Sequence, residues 1–161
     1  MGRFRPFGAL ISLARAQELV LAAAQPLEAS KSVELAIAAD RVLAAAVVAD
    51  HDVPGFDRSA MDGYAVRAVD VAGASPAEPA RLTLLEAVHA GHQPRSEVDA
   101  GSCIQIATGA PLPEGAEAVV KVEDTARDGD AVLVRVAVER GKHVVPQGED
   151  MCAGDEVLSS G

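Results

Sequence analysis

Residues 53–65 read Val-Pro-Gly-Phe-Asp-Arg-Ser-Ala-Met-Asp-Gly-Tyr-Ala. The Pro-Gly and Asp-Gly pairs are both strong turn signals, so this segment is predicted to bend twice within a few residues. Such bends expose the polar side chains between them. A tight connection between strands would also use Asp and Gly for its turns, so the residues alone leave two interpretations open: a connector, or one wall of a functional site.

Two further segments strengthen the second interpretation. Residues 53–65 resemble the signature of the MoeA/gephyrin E-domain family, the molybdopterin molybdenumtransferases. Residues 107–120 (Ala-Thr-Gly-Ala-Pro-Leu-Pro-Glu-Gly-Ala-Glu-Ala-Val-Val) and residues 148–154 (Gly-Glu-Asp-Met-Cys-Ala-Gly) are similar to that family's second and third conserved stretches. The three segments follow the family's order and approximate spacing. The resemblance extends from about residue 12 to the last residue, and it covers only the N-terminal portion of such an enzyme.

Composition restricts the class of protein. The chain has 161 residues, of which 49% are hydrophobic, and this is typical of a globular protein. Its formal net charge of −10 opposes binding to nucleic acid and to anionic membranes. Two cysteines are too few for a disulfide framework or a cysteine zinc site, and they suit a reducing cytoplasm. We expect a cytoplasmic protein without a membrane span.

The N-terminal third alternates between helical and extended patterns. Apolar residues at helical spacing predict a helix over residues 12–25, with Ser12 as its cap and Pro26 ending it. Partial alternation over residues 32–37 predicts a strand. Residues 40–44 are predicted to form a short helical turn, and residues 45–49 are an apolar run that leads into the signature segment.

Beyond residue 64 the apolar pattern changes to a period of two. Strands are predicted at four segments separated by turn clusters: 81–88, 102–107, 118–123 and 131–138. The turn clusters are residues 72–79, 90–95, 109–115 and 127–130. Short strands separated by such turn clusters indicate a compact, mostly antiparallel β-domain. The predicted fold class is therefore α+β and mostly β.

The family resemblance implies a domain organisation. Residues 1–26 would form an N-terminal helical segment, and residues 27–52 plus 143–161 would form an incomplete, discontinuous lobe. Residues 53–142 would be an inserted antiparallel β-domain that carries the signature loop. Family members continue into a molybdopterin-binding α/β domain, which we expect in the same or a neighbouring chain. We expect the 161 residues alone to have little or no transferase activity.

The resemblance also implies site residues. It assigns catalytic roles to three positions: Asp62, Thr108 and Asp150. It implies substrate-binding roles for four more: Asp57, Arg58, Ser59 and Gly109. Arg58 departs from the Asn of many family members, and we expect its side chain to pair with Asp57 or Asp62 or to bind a phosphate. From the residues alone, each aspartate also fits a hydrogen-bonded turn.

The reaction implied by the family is the insertion of molybdate into adenylylated molybdopterin, during molybdenum cofactor biosynthesis. The resemblance implies Mg²⁺ as the cofactor and a homodimer as the assembly, but it assigns no metal ligand. The alternative is a non-catalytic dimerisation or assembly module, or a truncated remnant of that enzyme. His89 and His92 have a metal-like interval without an evident third ligand, so a zinc site is not expected there.

Overall fold

The computed structural model describes residues 10–25 and 29–161. They divide into two compact units, which are described separately below. The first comprises the described residues up to Ala44 together with Gly161, and the second is Ala45–Ser160. No helix among the described residues has the length and apolar character needed to cross a membrane.

One α-helix, α1 (Leu13–Ala23), lies in the described part of the first unit. Ser12 caps it as predicted, because its side-chain oxygen accepts a hydrogen bond from the backbone N–H of Arg15 at 3.2 Å. The helix ends at Ala23, and Pro26, which was expected to end it, lies outside the described residues. None of the helical residues is buried, so the apolar side chains of α1 remain largely exposed.

Two predictions for the first unit are wrong. In place of the strand at residues 32–37, a 3₁₀ helix forms at Leu35–Ile37, where the Ile37 N–H donates to the Glu34 carbonyl at 3.0 Å. Local bonds of this kind satisfy the backbone without a partner strand. The helical turn at residues 40–44 is also absent from the described structure. Asp40 has a φ of 62°, a left-handed conformation that cannot continue a right-handed helix.

The second unit contains ten strands: β1 (Val47–Val48), β2 (Arg58–Ser59), β3 (Gly63–Val66), β4 (Ala80–Val88), β5 (Ser102–Ile106), β6 (Ala118–Lys121), β7 (Thr125–Asp128), β8 (Ala131–Val134), β9 (Val144–Val145) and β10 (Glu156–Leu158). Six of them form one sheet in the spatial order β6-β3-β5-β4-β8-β7. The other four form two short antiparallel pairs, β2 with β9 and β1 with β10. The prediction of an α+β, mostly β fold is confirmed.

The four alternating segments predicted as strands correspond to β4, β5, β6 and β8. The last two are shorter than predicted, since β6 is followed by a 3₁₀ helix at Val122–Asp124 and β8 ends at Val134. Two strands of the sheet were not predicted. β3 begins inside the signature segment, and β7 overlaps the turn cluster at residues 127–130.

One pairing in the six-stranded sheet departs from the antiparallel rule. β4 and β5 run parallel, with Val88 opposite Ile106, while β3 runs antiparallel to β5 with Gly63 opposite Ile106. The ends of β4 and β5 therefore lie next to the start of β3. We call this end of the sheet, formed by residues 62–63, 88–89 and 106–108, the site edge.

Apolar side chains cover both faces of the sheet. Alternate residues of one strand enter different layers, as a pleated strand requires. One layer includes Tyr64, Val66, Cys103 and Val120, and the other includes Ala65, Ile104, Ile106 and Val119. All four residues of β3 are buried, which explains why its sequence lacks polar alternation. Burial of each Val or Ile side chain stabilises the folded state by about 1.5–3 kcal/mol. The site edge therefore belongs to a sheet that is packed on both faces.

Chain segments before and after the sheet also pair with each other. The Ala49 N–H donates to the Asp155 carbonyl at 2.9 Å, and Val53 forms an antiparallel bridge with Met151. Residues 47–53 thus run beside residues 151–158 within the second unit. The division into residues 1–26, 27–52 plus 143–161, and 53–142 stays a prediction.

Candidate functional site

Asp62 lies at the site edge, directly before β3. Its backbone position is fixed by Gly63, where an added Cβ would lie 1.9 Å from the Val120 carbonyl oxygen on β6. Only glycine permits such a close approach of two strands. The sequence Asp-Gly therefore does more than make a turn: it brings the Asp62 side chain to the point where β3 is held between β5 and β6.

Asp62 and Thr108, from two different motifs, are joined directly. Asp62 Oδ1 accepts hydrogen bonds from the Thr108 backbone N–H at 2.7 Å and from the Thr108 hydroxyl at 2.8 Å. The backbone hydrogen bond, followed by the hydroxyl bond, lowers the pKa of Asp62 below its ordinary value. The carboxylate therefore stays ionised at neutral pH. Its other oxygen, Oδ2, accepts no hydrogen bond among the described residues.

A cavity of about 230 Å³ opens beside this carboxylate. Its walls are mainly apolar and come from the ends of β4 and β5: Ala87, Val88, Gln105, Ile106 and Ala107, together with His89 and Val122. Asp62 is exposed and contributes to the lining. The arrangement presents one ionised acceptor against an apolar wall, and such a mixture is typical of small-molecule sites.

Gly109 and Ser59 connect the two motifs through their backbones. The Gly109 N–H donates to the Ser59 carbonyl at 2.8 Å, and Gly109 has a φ of 80°, which favours glycine. The Ser59 side chain is 1% exposed. Its hydroxyl donates to the Met61 carbonyl and accepts from the Met61 N–H at 3.2 Å. Both residues therefore shape the turn before Asp62, and direct substrate contacts from them stay predictions.

Asp57, Arg58 and Asp150 form a second group. The nearest carboxylate to Arg58 is that of Asp150, with 3.9 Å between Arg58 Nη2 and Asp150 Oδ2. Neither Asp57 nor Asp62 forms the ion pair with Arg58 that the sequence suggested. Asp57 Oδ1 instead accepts from the Gln147 N–H at 2.8 Å. This group therefore joins the signature segment to the third motif.

Sequence reasoning missed the structural role of Asp52. Its Oδ1 accepts from the Ala153 N–H at 2.7 Å, and its Oδ2 accepts from the Gln147 side-chain amide. The Ala153 backbone bond is the first cause that lowers the pKa of Asp52, and the Gln147 bond is the second. Both partners lie about a hundred residues along the chain, so no local pattern could have identified this contact.

The metal-binding capacity of the described residues is limited. They contain no group of three or more His, Cys, Asp or Glu side chains placed to hold a metal ion. Asp62 Oδ2 is nevertheless a hard oxygen donor next to a cavity, and Mg²⁺ commonly takes one or two carboxylates and completes its shell with water and phosphate. Asp62 fits a role as one such ligand.

Comparison with known proteins gives a consistent result. Residues 11–161 match the family described as MoeA N-terminal region (domain I and II). The chain is similar to the molybdopterin molybdenumtransferase of Synechococcus elongatus, with 40% identity over 154 residues, covering 94% of this chain and 38% of that protein. It is also similar to molybdopterin molybdenumtransferase 2 of Mycobacterium tuberculosis, with 44% identity over 130 residues, covering 81% of this chain and 32% of that protein.

A solved structure shares the fold. The crystal structure of the molybdopterin biosynthesis MoeA protein from Pyrococcus horikoshii OT3 matches with a TM-score of 0.88 and 38% identity. The match covers 95% of this chain and 40% of that chain. The chain thus spans well under half the length of the relatives that it resembles.

Proposed function

The chain belongs to the MoeA N-terminal family, and on that premise we propose that it forms the front part of a molybdopterin molybdenumtransferase. In this proposal the site edge is one wall of the cleft in which molybdate is inserted into adenylylated molybdopterin, during molybdenum cofactor biosynthesis. Asp62 and Thr108 are the residues to which we assign the main roles. Asp150, with Arg58 and Asp57, would line a more distant part of the same cleft.

The observation that carries the proposal is the contact between Asp62 and Thr108. An aspartate that serves only its own turn bonds the amides that follow it in sequence. Asp62 instead binds a residue 46 positions away and keeps Oδ2 open beside a cavity. An ionised acceptor held in this way is suited to binding N–H groups of a heterocycle or a cation, and it is a poor general acid because its pKa is lowered.

Thr108 acts through Asp62 in this proposal. Its hydroxyl proton is donated to Asp62 Oδ1, so that proton is not free to bind an anionic substrate oxygen. Thr108 is therefore a positioning residue that orients the carboxylate and holds it ionised. A Thr108→Val substitution should raise the pKa of Asp62, and a carboxyl-specific NMR titration would detect this shift even if Thr108 had no effect on stability.

Mg²⁺ is the proposed cofactor. When bound, it would neutralise part of the charge on the phosphate groups, with Asp62 Oδ2 as its protein ligand at this wall. Molybdate and the diphosphate linkage are anions, whereas Asp62 and Asp150 are acidic. We therefore propose that further cationic groups come from the portion of the relatives that this chain does not span, in the same or a neighbouring polypeptide, and that the assembly is a homodimer.

A non-catalytic interaction module remains the second candidate. The observation that favours it is α1, whose residues are all unburied and whose Leu13, Val20 and Leu21 side chains are mostly exposed. An apolar surface of this kind is suited to a partner. The same apolar surface would also suit an enzyme that dimerises. A measurement of transferase activity is therefore needed to distinguish the two candidates.

A chimeric enzyme tests the proposal. Residues 11–161 would replace the matching segment of the Synechococcus elongatus relative, and molybdenum bound to molybdopterin and released AMP would be measured. We expect an active chimera, with activity reduced at least about tenfold by Asp62→Asn because an ionised ligand to substrate or metal is lost. The matched control is Asp130→Asn, in the exposed turn between β7 and β8.

Three results would contradict the proposal. The first is a chimera that is inactive before any substitution. The second is an Asp62→Asn chimera as active as its parent, which would remove the assignment of Asp62. The third is complete transferase activity from the 161 residues alone, which would show that the site edge needs no further wall.

A further inference from the structure

A second cavity adjoins the first along the site edge. It has a volume of about 520 Å³ and is lined by Glu86, Ala87, Val88, His89, His92, Gln93, Pro94 and Arg95. Ala87, Val88 and His89 also line the cavity beside Asp62. The two cavities are therefore neighbours with a shared wall at the end of β4.

The second cavity brings one arginine and two histidines, all hydrogen-bond donors, together in an acidic chain. The sequence carries 24 Asp and Glu against 14 Lys and Arg, yet two of its four histidines and one arginine lie within residues 89–95. The His89 and His92 rings contact edge to face, with centroids 6.4 Å apart. Arg95 forms no ion pair within 4.0 Å among the described residues, and its charge, after the backbone hydrogen bonds from Arg95 and Ser96, is one of the causes that lower the pKa of Glu86 in the same lining. Its guanidinium therefore keeps N–H donors that no carboxylate contacts directly.

The loop that carries these groups is held in shape. Glu86 Oε1, on β4, accepts the Arg95 N–H at 2.8 Å and the Ser96 N–H at 2.7 Å. The His92 N–H closes a turn on the His89 carbonyl at 3.0 Å. Glu86 is the acidic group in the lining, and its charge opposes an anion. Two backbone donors already occupy Oε1, which reduces that opposition.

We propose that residues 89–95 form an oxyanion subsite for the phosphate of a small molecule whose other end binds Asp62. This inference rests on the proposed function, since it identifies which part of the ligand meets which end of the site edge. Imidazole N–H groups donate in either protonation state, and a guanidinium matches the geometry of phosphate oxygens. A carboxylate at one end and His and Arg groups at the other select a ligand with a donor-bearing ring and an anionic group.

Anion binding to the 161-residue chain tests the subsite directly. Inorganic pyrophosphate and molybdate would be titrated separately into the purified chain, with isothermal calorimetry as the measurement. We expect saturable binding of pyrophosphate, weakened about tenfold by Arg95→Gln or His92→Gln through loss of a charge-assisted hydrogen bond. Arg95→Lys should recover part of the affinity. Arg127→Gln, an exposed arginine on β7, is the matched control and should leave binding unchanged.

Comparison of the two titrations identifies which anion the subsite binds. Pyrophosphate binding alone would assign the subsite to a phosphate group, whereas binding of molybdate alone would overturn the phosphate assignment. Absence of binding by either anion, or equal loss in Arg127→Gln, would overturn the subsite itself. His92 and Arg95 are both exposed, so neither substitution removes core packing. The measurement needs no molybdenum transfer, so the subsite and the proposed function can fail independently.

Discussion

Gly63→Ala is the perturbation that best tests the link between fold and site. The added Cβ would lie 1.9 Å from the Val120 carbonyl oxygen and 2.9 Å from its carbon, both backbone atoms of β6. Ordinary contact begins at 3.4 Å, so the two strands would have to separate by more than an ångström. Four residue pairs join β3 to β6, and this separation would weaken their hydrogen bonds.

The expected cost follows from two terms. Overpacking a buried site costs about 1–3 kcal/mol, and each weakened ladder hydrogen bond adds about 1 kcal/mol. We expect Gly63→Ala to lower the free energy of unfolding by about 4 kcal/mol, and the melting temperature by about 10–15 °C. Tyr64 is the only tyrosine in a chain without tryptophan, and it is 3% exposed. Its fluorescence therefore reports urea and thermal unfolding of the second unit.

Gly73→Ala provides the matched control. Nothing lies within 4 Å of a Cβ added there, and its φ is not in the left-handed region. The free energy of unfolding of the Gly73→Ala variant should differ from that of the unsubstituted chain by less than about 1 kcal/mol. A small gain is expected, because alanine makes the unfolded chain less flexible than glycine does. If Gly63→Ala unfolds at the same urea concentration as the unsubstituted chain, the argument that β3 needs a glycine at the site edge is refuted.

Three further predictions concern the surroundings of the site. The pKa of Asp52 is lowered in the fold from 3.8, chiefly by the Ala153 N–H, so the carboxylate stabilises the fold above pH 3.8 and this stabilisation is lost as the pH falls through the folded pKa. Asp52→Asn should therefore lower the urea midpoint more at about pH 6 than at about pH 3. An equal loss at both pH values would contradict this. Ser59→Ala should cost about 1–2 kcal/mol, because Met61 loses both partners of its backbone groups, and an unchanged midpoint would argue against the turn described here. Burial raises the pKa of Cys103 to about 12, whereas Cys152 is exposed, so a thiol reagent at mildly alkaline pH should modify one cysteine in the folded chain and two after unfolding.

Sequence reasoning succeeded where the signal is local. Ser12 caps α1 because a serine before an apolar helical pattern has a specific backbone partner three residues later. β4 and β5 follow from alternation, which reflects burial on a pleated sheet. The strand predicted at residues 32–37 failed because partial alternation in a short segment is also compatible with 3₁₀ turns.

The candidate site required information that no local pattern contains. β3 was missed because both of its faces are buried, so Gly-Tyr-Ala-Val shows neither alternation nor helical spacing. The contact of Asp62 with Thr108 joins residues 46 positions apart, and only the family resemblance brought both to attention. Physical reasoning alone could not distinguish Asp62 from any other aspartate in a turn before glycine.

The shared direction of β4 and β5 has an evolutionary consequence. Two parallel strands cannot be joined by a tight hairpin, so residues 89–101 must return the chain from one end of the sheet to the other. Residues 90–95 of this return segment are largely exposed, so changes confined to them can leave the strands and the apolar layers in place, whereas Val98 is 2% exposed and packs in one of those layers. Related proteins can therefore acquire different ligand preferences by changing this one segment while they inherit the rest of the sheet unaltered.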